Sequence, residues 1–87
     1  MLATVYKYPI GLGTNLIETF KGAEVLSCGF DPNGTICIWA KVDPTAPAAN
    51  IIIDCIGTGW DMPDSEAKFI GTFRDDPYIW HVFWRAE

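Results

Sequence analysis

Prolines and glycines divide this chain into short segments, and no other feature restricts its fold as strongly. Six prolines and eight glycines interrupt 87 residues, and the segments between them are rich in Val, Ile, Thr and aromatic residues. This pattern is typical of a compact all-β domain. The segment Asp61–Lys68 is predicted to be a loop or a single helical turn. We predict a small antiparallel sandwich or barrel-like meander of about seven strands, near residues 2–9, 14–20, 23–30, 35–43, 49–57, 67–74 and 78–86.

The third and fourth segments are predicted to form a hairpin. Asp31-Pro32-Asn33-Gly34 suits a type I turn closed by a left-handed glycine, because Asp, Pro and Gly occupy the positions they favour. Pairing Asp31 with Thr35 places Trp39 and Lys41 on one face of the hairpin. The other face is wholly apolar and consists of Leu26, Cys28 and Phe30 opposite Ala40, Ile38 and Ile36.

The last predicted strand is apolar on both faces. Tyr78 and Trp80 point to one side, whereas Ile79 and Phe83 point to the other. Such a strand is central and covered twice, or it lies at a subunit interface. Because a chain of 87 residues has little material to cover both faces, we predict a homo-oligomer.

Length and charge exclude several classes of protein. A chain of 87 residues has the size of one domain, so we predict a single β-domain over residues 1–87. Eleven acidic and six basic residues give a net charge of −5, which lacks the positive footprint of a direct nucleic-acid binder. No apolar run approaches the roughly 18 residues of a membrane span, and no basic segment indicates a signal peptide.

The cysteines are predicted to be free thiols. Cys28, Cys37 and Cys55 are odd in number and form no C-x-x-C motif, which favours a reducing compartment. No cysteine is followed by a second ligand at the spacing of a structural zinc site, and the chain has a single histidine. We predict no metal site and no cofactor.

A glycine-rich segment at the end of the fifth strand is the strongest candidate binding site. Gly57 and Gly59 flank Thr58, so the backbone can bend and expose amides that cradle an anion. Trp60 follows and could stack on a base or another planar ligand. The simpler alternative is a glycine-rich strand exit with Trp60 closing the core. The segment is neither a phosphate-binding P-loop nor a dinucleotide fingerprint.

His81 is the candidate for proton transfer or for a ligand contact, since histidine is the commonest general base. The alternative is a hydrogen-bonded histidine on a strand. Catalysis would also require a nucleophile or an orienting acid, and the spacing identifies neither. We therefore predict no catalytic residue and a protein that is not an enzyme. The acidic loop residues Asp61, Asp64 and Glu66 lack the pattern of a calcium loop and are predicted to be solvated.

Tryptophans with nearby cations form a last set of candidates. Trp39 lies close to Lys41 in sequence, and Arg74 precedes the last strand. Trp and Arg are enriched at the centres of interfaces. In a ligand site, Trp39 would stack on a ring, and Lys41 or Arg74 would balance negative charge. The alternative is ordinary packing of the tryptophan in a core.

Several segments together resemble a family of small proteins encoded by bacteriophages and prophages. The resemblance covers almost the whole chain, and its most specific pieces are Gly57-Thr58-Gly59 and His81-Val82-Phe83. The family has no assigned function, so the resemblance implies no catalytic residues. It implies a β-rich fold and a phage-borne protein that acts in the cytoplasm of the infected bacterial host. The other segments are Val5–Tyr8, Lys21–Leu26, Ile38–Pro44, Ile56–Gly59, Phe69–Phe73 and Trp80–Phe83.

Phages encode small proteins that counter host defence, and this context supports two hypotheses. The first is a non-enzymatic protein that binds and sequesters a nucleotide-derived host immune signal between protomers. Its site would comprise Gly57, Thr58, Gly59, Trp60, Trp39, Lys41, Arg74 and His81. The second is an acidic inhibitor that binds a host defence protein or a nucleic-acid enzyme. A minor virion or assembly component is a further alternative.

Overall fold

The structure, a computed structural model, describes residues 2–87. It contains no helix in this range, and no helix there could cross a lipid bilayer. The all-β prediction is therefore confirmed, and residues 61–67 form a loop with one hydrogen-bonded turn between Ala67 and Asp64. The seven strands are β1 Thr4–Pro9, β2 Gly13–Phe20, β3 Glu24–Phe30, β4 Ile36–Val42, β5 Ala48–Gly57, β6 Lys68–Asp75 and β7 Tyr78–Ala86.

The strands form two antiparallel sheets that do not close into a barrel, as expected for a sandwich. Sheet A has the order β1-β4-β3, and sheet B has the order β2-β5-β7-β6. Alternate residues of β4, β5 and β7 point into the space between the sheets, where burial of their apolar surface stabilises the fold. The buried core consists of Ile10, Ile38, Ala40, Val42, Ile51, Ile53, Cys55, Trp80 and Val82.

The β3–β4 turn forms as the sequence predicts. The backbone N–H of Gly34 donates to the carbonyl of Asp31, and the N–H of Asp31 donates to the carbonyl of Thr35, both at 2.9 Å. Gly34 has φ +80°, which is the left-handed conformation that favours glycine. The carboxylate of Asp31 accepts the N–H groups of Asn33 and Thr35. This carboxylate therefore stabilises the turn by accepting hydrogen bonds from the backbone of the turn itself.

The predicted hairpin register is correct near the turn and wrong beyond it. Cys28 lies opposite Ile38, as predicted, but a β-bulge lies between Val25 and Ser27. The extra residue reverses the alternation of faces, so Val25 rather than Leu26 lies opposite Ala40. Val25 packs against the core, whereas the side chain of Leu26 is 48% exposed.

A crossover loop of residues 58–67 joins β5 to β6 and contacts the outer face of sheet B. Because β5 and β6 flank β7 and both run antiparallel to it, the loop must return along β7 to join them. Thr58 at its start contacts His81, and Asp64 near its end lies 3.8 Å from Arg85. Both β7 side chains point away from the core.

The two faces of β7 have different surroundings. One face packs in the core through Trp80 and Val82, and the loop crosses the face that carries His81 and Arg85. The sequence left open either a strand covered twice or a subunit interface, and the described residues cover the outer face only in part, since Ile79 on that face is 39% exposed. The homo-oligomer stays a prediction.

Candidate functional site

An aromatic cleft opens where β5 ends and β7 begins. Its walls carry the side chains of Trp60, Tyr78 and Trp80, with Gly57 and Thr58 on the β5 side. The cavity has a volume of about 360 Å³. That volume lies at the lower end of the range for small-molecule sites, where apolar walls and a few polar groups are usual.

Gly57 allows Trp60 to lie against the strand. The backbone N–H of Trp60 donates to the carbonyl of Gly57 at 3.0 Å, and Gly59 between them has φ +91°. A β-carbon on Gly57 would lie 2.9 Å from Cε2 and Nε1 of Trp60, which is closer than packed atoms approach. The two glycines of the motif therefore have separate roles, because Gly57 admits the indole and Gly59 reverses the chain.

The three aromatic rings of the cleft contact one another in series. The ring centroids of Trp60 and Trp80 are 5.4 Å apart with an interplanar angle of 79°, and those of Tyr78 and Trp80 are 5.7 Å apart at 33°. Trp80 is buried, whereas Trp60 is 52% exposed and Tyr78 is 59% exposed. Two aromatic side chains are thus held by a buried third, with ring surface left free for a planar ligand.

Trp80 also carries an unsatisfied polar atom. Its Nε1 is buried and has no hydrogen-bond partner within residues 2–87. Almost all buried N–H groups in folded proteins have partners, and an orphan costs free energy.

His81 links the crossover loop to β6 through two threonines. Its Nε2 lies 2.7 Å from Oγ1 of Thr58, and its Nδ1 lies 3.1 Å from Oγ1 of Thr72. Thr58 is exposed and lines the cleft, so the imidazole supports a hydroxyl at the edge of the site. Neither of these two partners is an acid that could stabilise an imidazolium ion during proton transfer.

Charged side chains of both signs lie beside the cleft, at the end of β6 and in the turn that follows it. Arg74 lies opposite Ile79, a residue of the cleft, but its Nε is held 2.9 Å from the carboxylate of Asp76. Asp75 lies opposite Tyr78 at the end of β6. A ligand with a negative charge would therefore depend on direct contacts in the cleft rather than on a surrounding field.

The structure brings together part of the predicted site. Gly57, Thr58 and Trp60 line the cleft, Gly59 completes their turn, and His81 contacts Thr58. Arg74 lies on the neighbouring strand, as described above.

Trp39 and Lys41 lie in the other sheet. They point to the outer face of sheet A, where Trp39 is half-buried opposite Lys7 and Ser27. The ammonium group of Lys41 lies 3.3 Å from the carboxylate of Glu24. Neither side chain lines the aromatic cleft.

Sequence reasoning missed the contribution of the β6–β7 hairpin to the site. The two-residue connection Asp76–Pro77, with a cis peptide bond, places Tyr78 at the start of β7. The sequence shows that Tyr78 and Trp80 share a face, but it does not show that Trp80 lies opposite Gly57. That pairing is between strands distant in sequence, so no local signal reveals it.

A buried ion pair lies beside the site, on the outer face of sheet B. Asp54 accepts hydrogen bonds from the Thr14 hydroxyl at 2.8 Å and from Nε of Arg85 at 3.0 Å. This carboxylate hydrogen bond is the main cause that raises the pKa of Arg85. No three Cys, His, Asp or Glu side chains in residues 2–87 are grouped to hold a metal ion.

The thiols are not activated. Burial raises the pKa of Cys28 and of Cys37, and it raises the pKa of Cys55 to about 11. All three cysteines are free. Because the thiolate is the reactive form, these groups act as small apolar side chains at neutral pH.

Comparison with known sequences identifies one family. The sequence model of the family described as Domain of unknown function (DUF7352) matches residues 1–87. No curated protein and no solved structure matches the chain at a significant level.

Proposed function

We propose that this chain, which belongs to the DUF7352 family of domains of unknown function, is a non-enzymatic binding protein. Its aromatic cleft captures the planar ring of a small ligand. One observation carries the proposal: the exposed aromatic surface of Trp60 and Tyr78 borders a cavity of about 360 Å³ that the buried Trp80 also lines. Burying that surface against a ring is favourable, and each stacked base contributes about 1–3 kcal/mol.

The ligand class that we propose is a nucleotide-derived host immune signal, which the protein sequesters during phage counter-defence. The base would stack in the aromatic cleft, while the hydroxyl of Thr58 and the amide of Gly59 would meet polar groups of the ligand. The phage origin and the host cytoplasm follow from the family resemblance and belong to the proposal.

The net charge of −5 determines how such a ligand would bind. Long-range attraction is absent, so the affinity for an anionic nucleotide would come from stacking and from short contacts. Arg74 would add to this affinity if its guanidinium group left Asp76 and formed an ion pair with the ligand. We therefore expect affinity that depends weakly on salt concentration.

We also propose that the protein associates with a second copy of itself. Leu16 and Phe69 are each 61% exposed on the outer face of sheet B, at its two edge strands. Large exposed apolar residues at a sheet face favour association. Native mass spectrometry of the purified protein would test this association by measuring its stoichiometry.

The second candidate function is an acidic inhibitor that binds a basic host protein. The net charge of −5 is the observation that favours it. In that case binding would weaken steeply as salt is added, whereas stacking in the cleft would not. A minor virion component would instead appear in purified particles.

Isothermal titration calorimetry with adenosine, 3′,5′-cyclic AMP and 3′,3′-cyclic di-AMP tests the proposal. We expect Trp60→Ala to lose about tenfold or more in affinity, as expected when one stacking ring is removed. Trp39→Ala is the matched control, because this tryptophan lies in sheet A, and we expect it to bind like the wild type. Equal affinity of Trp60→Ala and wild type, or no binding of any nucleotide probe, would contradict the proposal.

A further inference from the structure

We propose that His81 is a positioning residue that sets whether Thr58 donates or accepts a hydrogen bond in the aromatic cleft. The ligand is selected for a hydrogen-bond acceptor beside its planar ring, and its affinity rises as the imidazole gains a proton. This inference rests on the proposed function, since Thr58 acts on a ligand only if the cleft holds one.

The argument begins with the two nitrogens of His81. Each has a threonine hydroxyl within hydrogen-bond distance, at 2.7 Å for Thr58 and 3.1 Å for Thr72. In a neutral imidazole one nitrogen carries a proton and the other accepts one. One threonine must then donate to the ring while the other accepts from it.

The tautomer therefore determines what Thr58 offers to the cleft. If Nε2 of His81 lacks a proton, the Thr58 hydroxyl donates to the ring and only its oxygen lone pairs remain for a ligand. If Nε2 carries a proton, it donates to Oγ1 of Thr58, and the hydroxyl proton is free to turn toward the cleft. Thr58 can donate to a ligand only in this second state.

Protonation of the imidazole makes the second state obligatory. Both nitrogens of an imidazolium are donors, so Nε2 must donate to Thr58 and Nδ1 to Thr72. A donor that itself accepts a charged hydrogen bond is polarised and becomes stronger. A ligand acceptor at Thr58, such as a phosphate oxygen, therefore binds best when His81 is protonated.

The groups that face His81 come from β5, from β6 and from its own strand. On β5 the residue opposite is Ile56, which is apolar and buried. On β6 the residue opposite is Thr72, and the next residue on that face is Arg74, paired with Asp76. On its own strand, the charged neighbour on that face is Arg85.

The remaining charged groups near His81 lie on β5, on β7 and in the crossover loop. Arg85 pairs with Asp54 of β5 and lies near Asp64 of the crossover loop. The other acidic residues of the loop, Asp61 and Glu66, form no salt bridge with His81 within residues 2–87. Histidine is the side chain that ordinarily changes charge between pH 5 and 8.

The experiment is a calorimetric titration at pH 5.5 and pH 8.0 with 3′,5′-cyclic AMP, a phosphodiester whose charge is constant over that range. We expect the wild type to bind about five- to tenfold more tightly at pH 5.5. His81→Gln should bind with an affinity independent of pH, because its amide presents a fixed donor in place of Nε2. Thr58→Val should bind weakly at both pH values.

The outcomes separate this inference from the proposed function. A wild type that binds with the same affinity at both pH values, while Trp60→Ala binds poorly, overturns the role of His81 and leaves the aromatic cleft as the site. Loss of pH dependence in His81→Gln, with its affinity retained, supports the inference, because a merely structural role would lower affinity at every pH. Binding unaffected by Trp60→Ala overturns the proposed function itself.

A spectroscopic measurement gives a second readout. Nitrogen-15 chemical shifts of the His81 ring report which nitrogen carries the proton. We expect Nε2 to be protonated when 3′,5′-cyclic AMP is bound at pH 8.0. An unprotonated Nε2 in that complex contradicts the inference.

Discussion

The indole of Trp60 lies directly on the α-carbon of Gly57, at a distance that leaves no room for a side chain. A β-carbon at Gly57 would lie 2.9 Å from Trp60 and 3.2 Å from Cζ3 of Trp80. The same glycine therefore determines the positions of two rings of the aromatic cleft. Substituting Gly57 displaces the ring of Trp60 without removing it, and so tests whether the position of that ring matters for binding.

Gly57→Ala is expected to displace Trp60 and to weaken binding of cyclic AMP by about tenfold, as loss of one stacking ring would. Overpacking at a tight contact costs about 1–3 kcal/mol, and thermal unfolding followed by circular dichroism measures it. Gly11→Ala is the control, because a β-carbon there meets its nearest atom, Oδ1 of Asn15, at an ordinary 3.7 Å. Wild-type affinity in Gly57→Ala would show that the position of Trp60 is unimportant.

Arg85→Met is expected to destabilise the fold far more than Arg74→Met. Arg85 compensates the carboxylate of Asp54, which is 1% exposed, and a buried charge left without its partner is costly. The Arg74–Asp76 pair is exposed, so its removal should change little. We expect the midpoint of thermal unfolding to fall by more than about 10 °C for Arg85→Met and by less than about 2 °C for Arg74→Met. Equal midpoints would contradict this assignment.

Acid is expected to destabilise the β3–β4 turn through Asp31. The ammonium group of Lys7, 2.8 Å away, lowers the pKa of Asp31 most, and the backbone N–H of Thr35 lowers it further. A lowered pKa in the folded state contributes stability above the ordinary carboxyl pKa of about 3.9 and loses it as pH falls through the folded value. The wild type should therefore lose stability below about pH 4.

Asp31→Asn removes this contribution and should flatten the acid limb of the stability curve. Thermal midpoints between pH 2 and pH 7 measure the difference from wild type, which should be largest near neutral pH and smallest at pH 2. Asp61→Asn, in the exposed part of the crossover loop, is the control and should follow the wild type. A difference that is constant from pH 2 to pH 7 would contradict the role of Asp31.

Cys55 is expected to resist alkylation in the folded protein. With a pKa of about 11, about one molecule in a thousand carries the Cys55 thiolate at pH 8. Cys28 is partly exposed and should react with iodoacetamide before either buried cysteine. Mass spectrometry of timed samples measures the order, with urea-unfolded protein as the control in which all three react. Equal rates for Cys28 and Cys55 in the folded state would contradict it.

Local chemistry made part of this fold predictable. The Asp31–Gly34 turn depends on four adjacent residues whose preferences agree, and it forms as expected. The sequence singles out the segment Gly57–Trp60 as a candidate site because its glycines and its tryptophan are contiguous. The remaining walls of the aromatic cleft depend on the pairing of β5 with β7, which residues far apart in sequence determine.

Alternation alone also failed to separate the two sheets. It places Trp39 and Lys41 on the outer face of the hairpin, which the structure bears out. It does not reveal that β4 and β5 belong to different sheets, so it could not separate Trp39 from Trp60. Many sheet pairings bury the same apolar faces, and only the packing of the whole chain distinguishes them.

The bulge in β3 shows the same limit at one residue and gives a sharp test. Alternation from the turn places Leu26 in the core, but the bulge places Val25 there instead. Val25→Ser should therefore cost about 1–2 kcal/mol of unfolding free energy, whereas Leu26→Ser should change it by less than about 0.5 kcal/mol. Urea unfolding followed by tryptophan fluorescence measures both variants. If Leu26→Ser were the more destabilising, the regular register without a bulge would be correct, and Val25 would point to solvent.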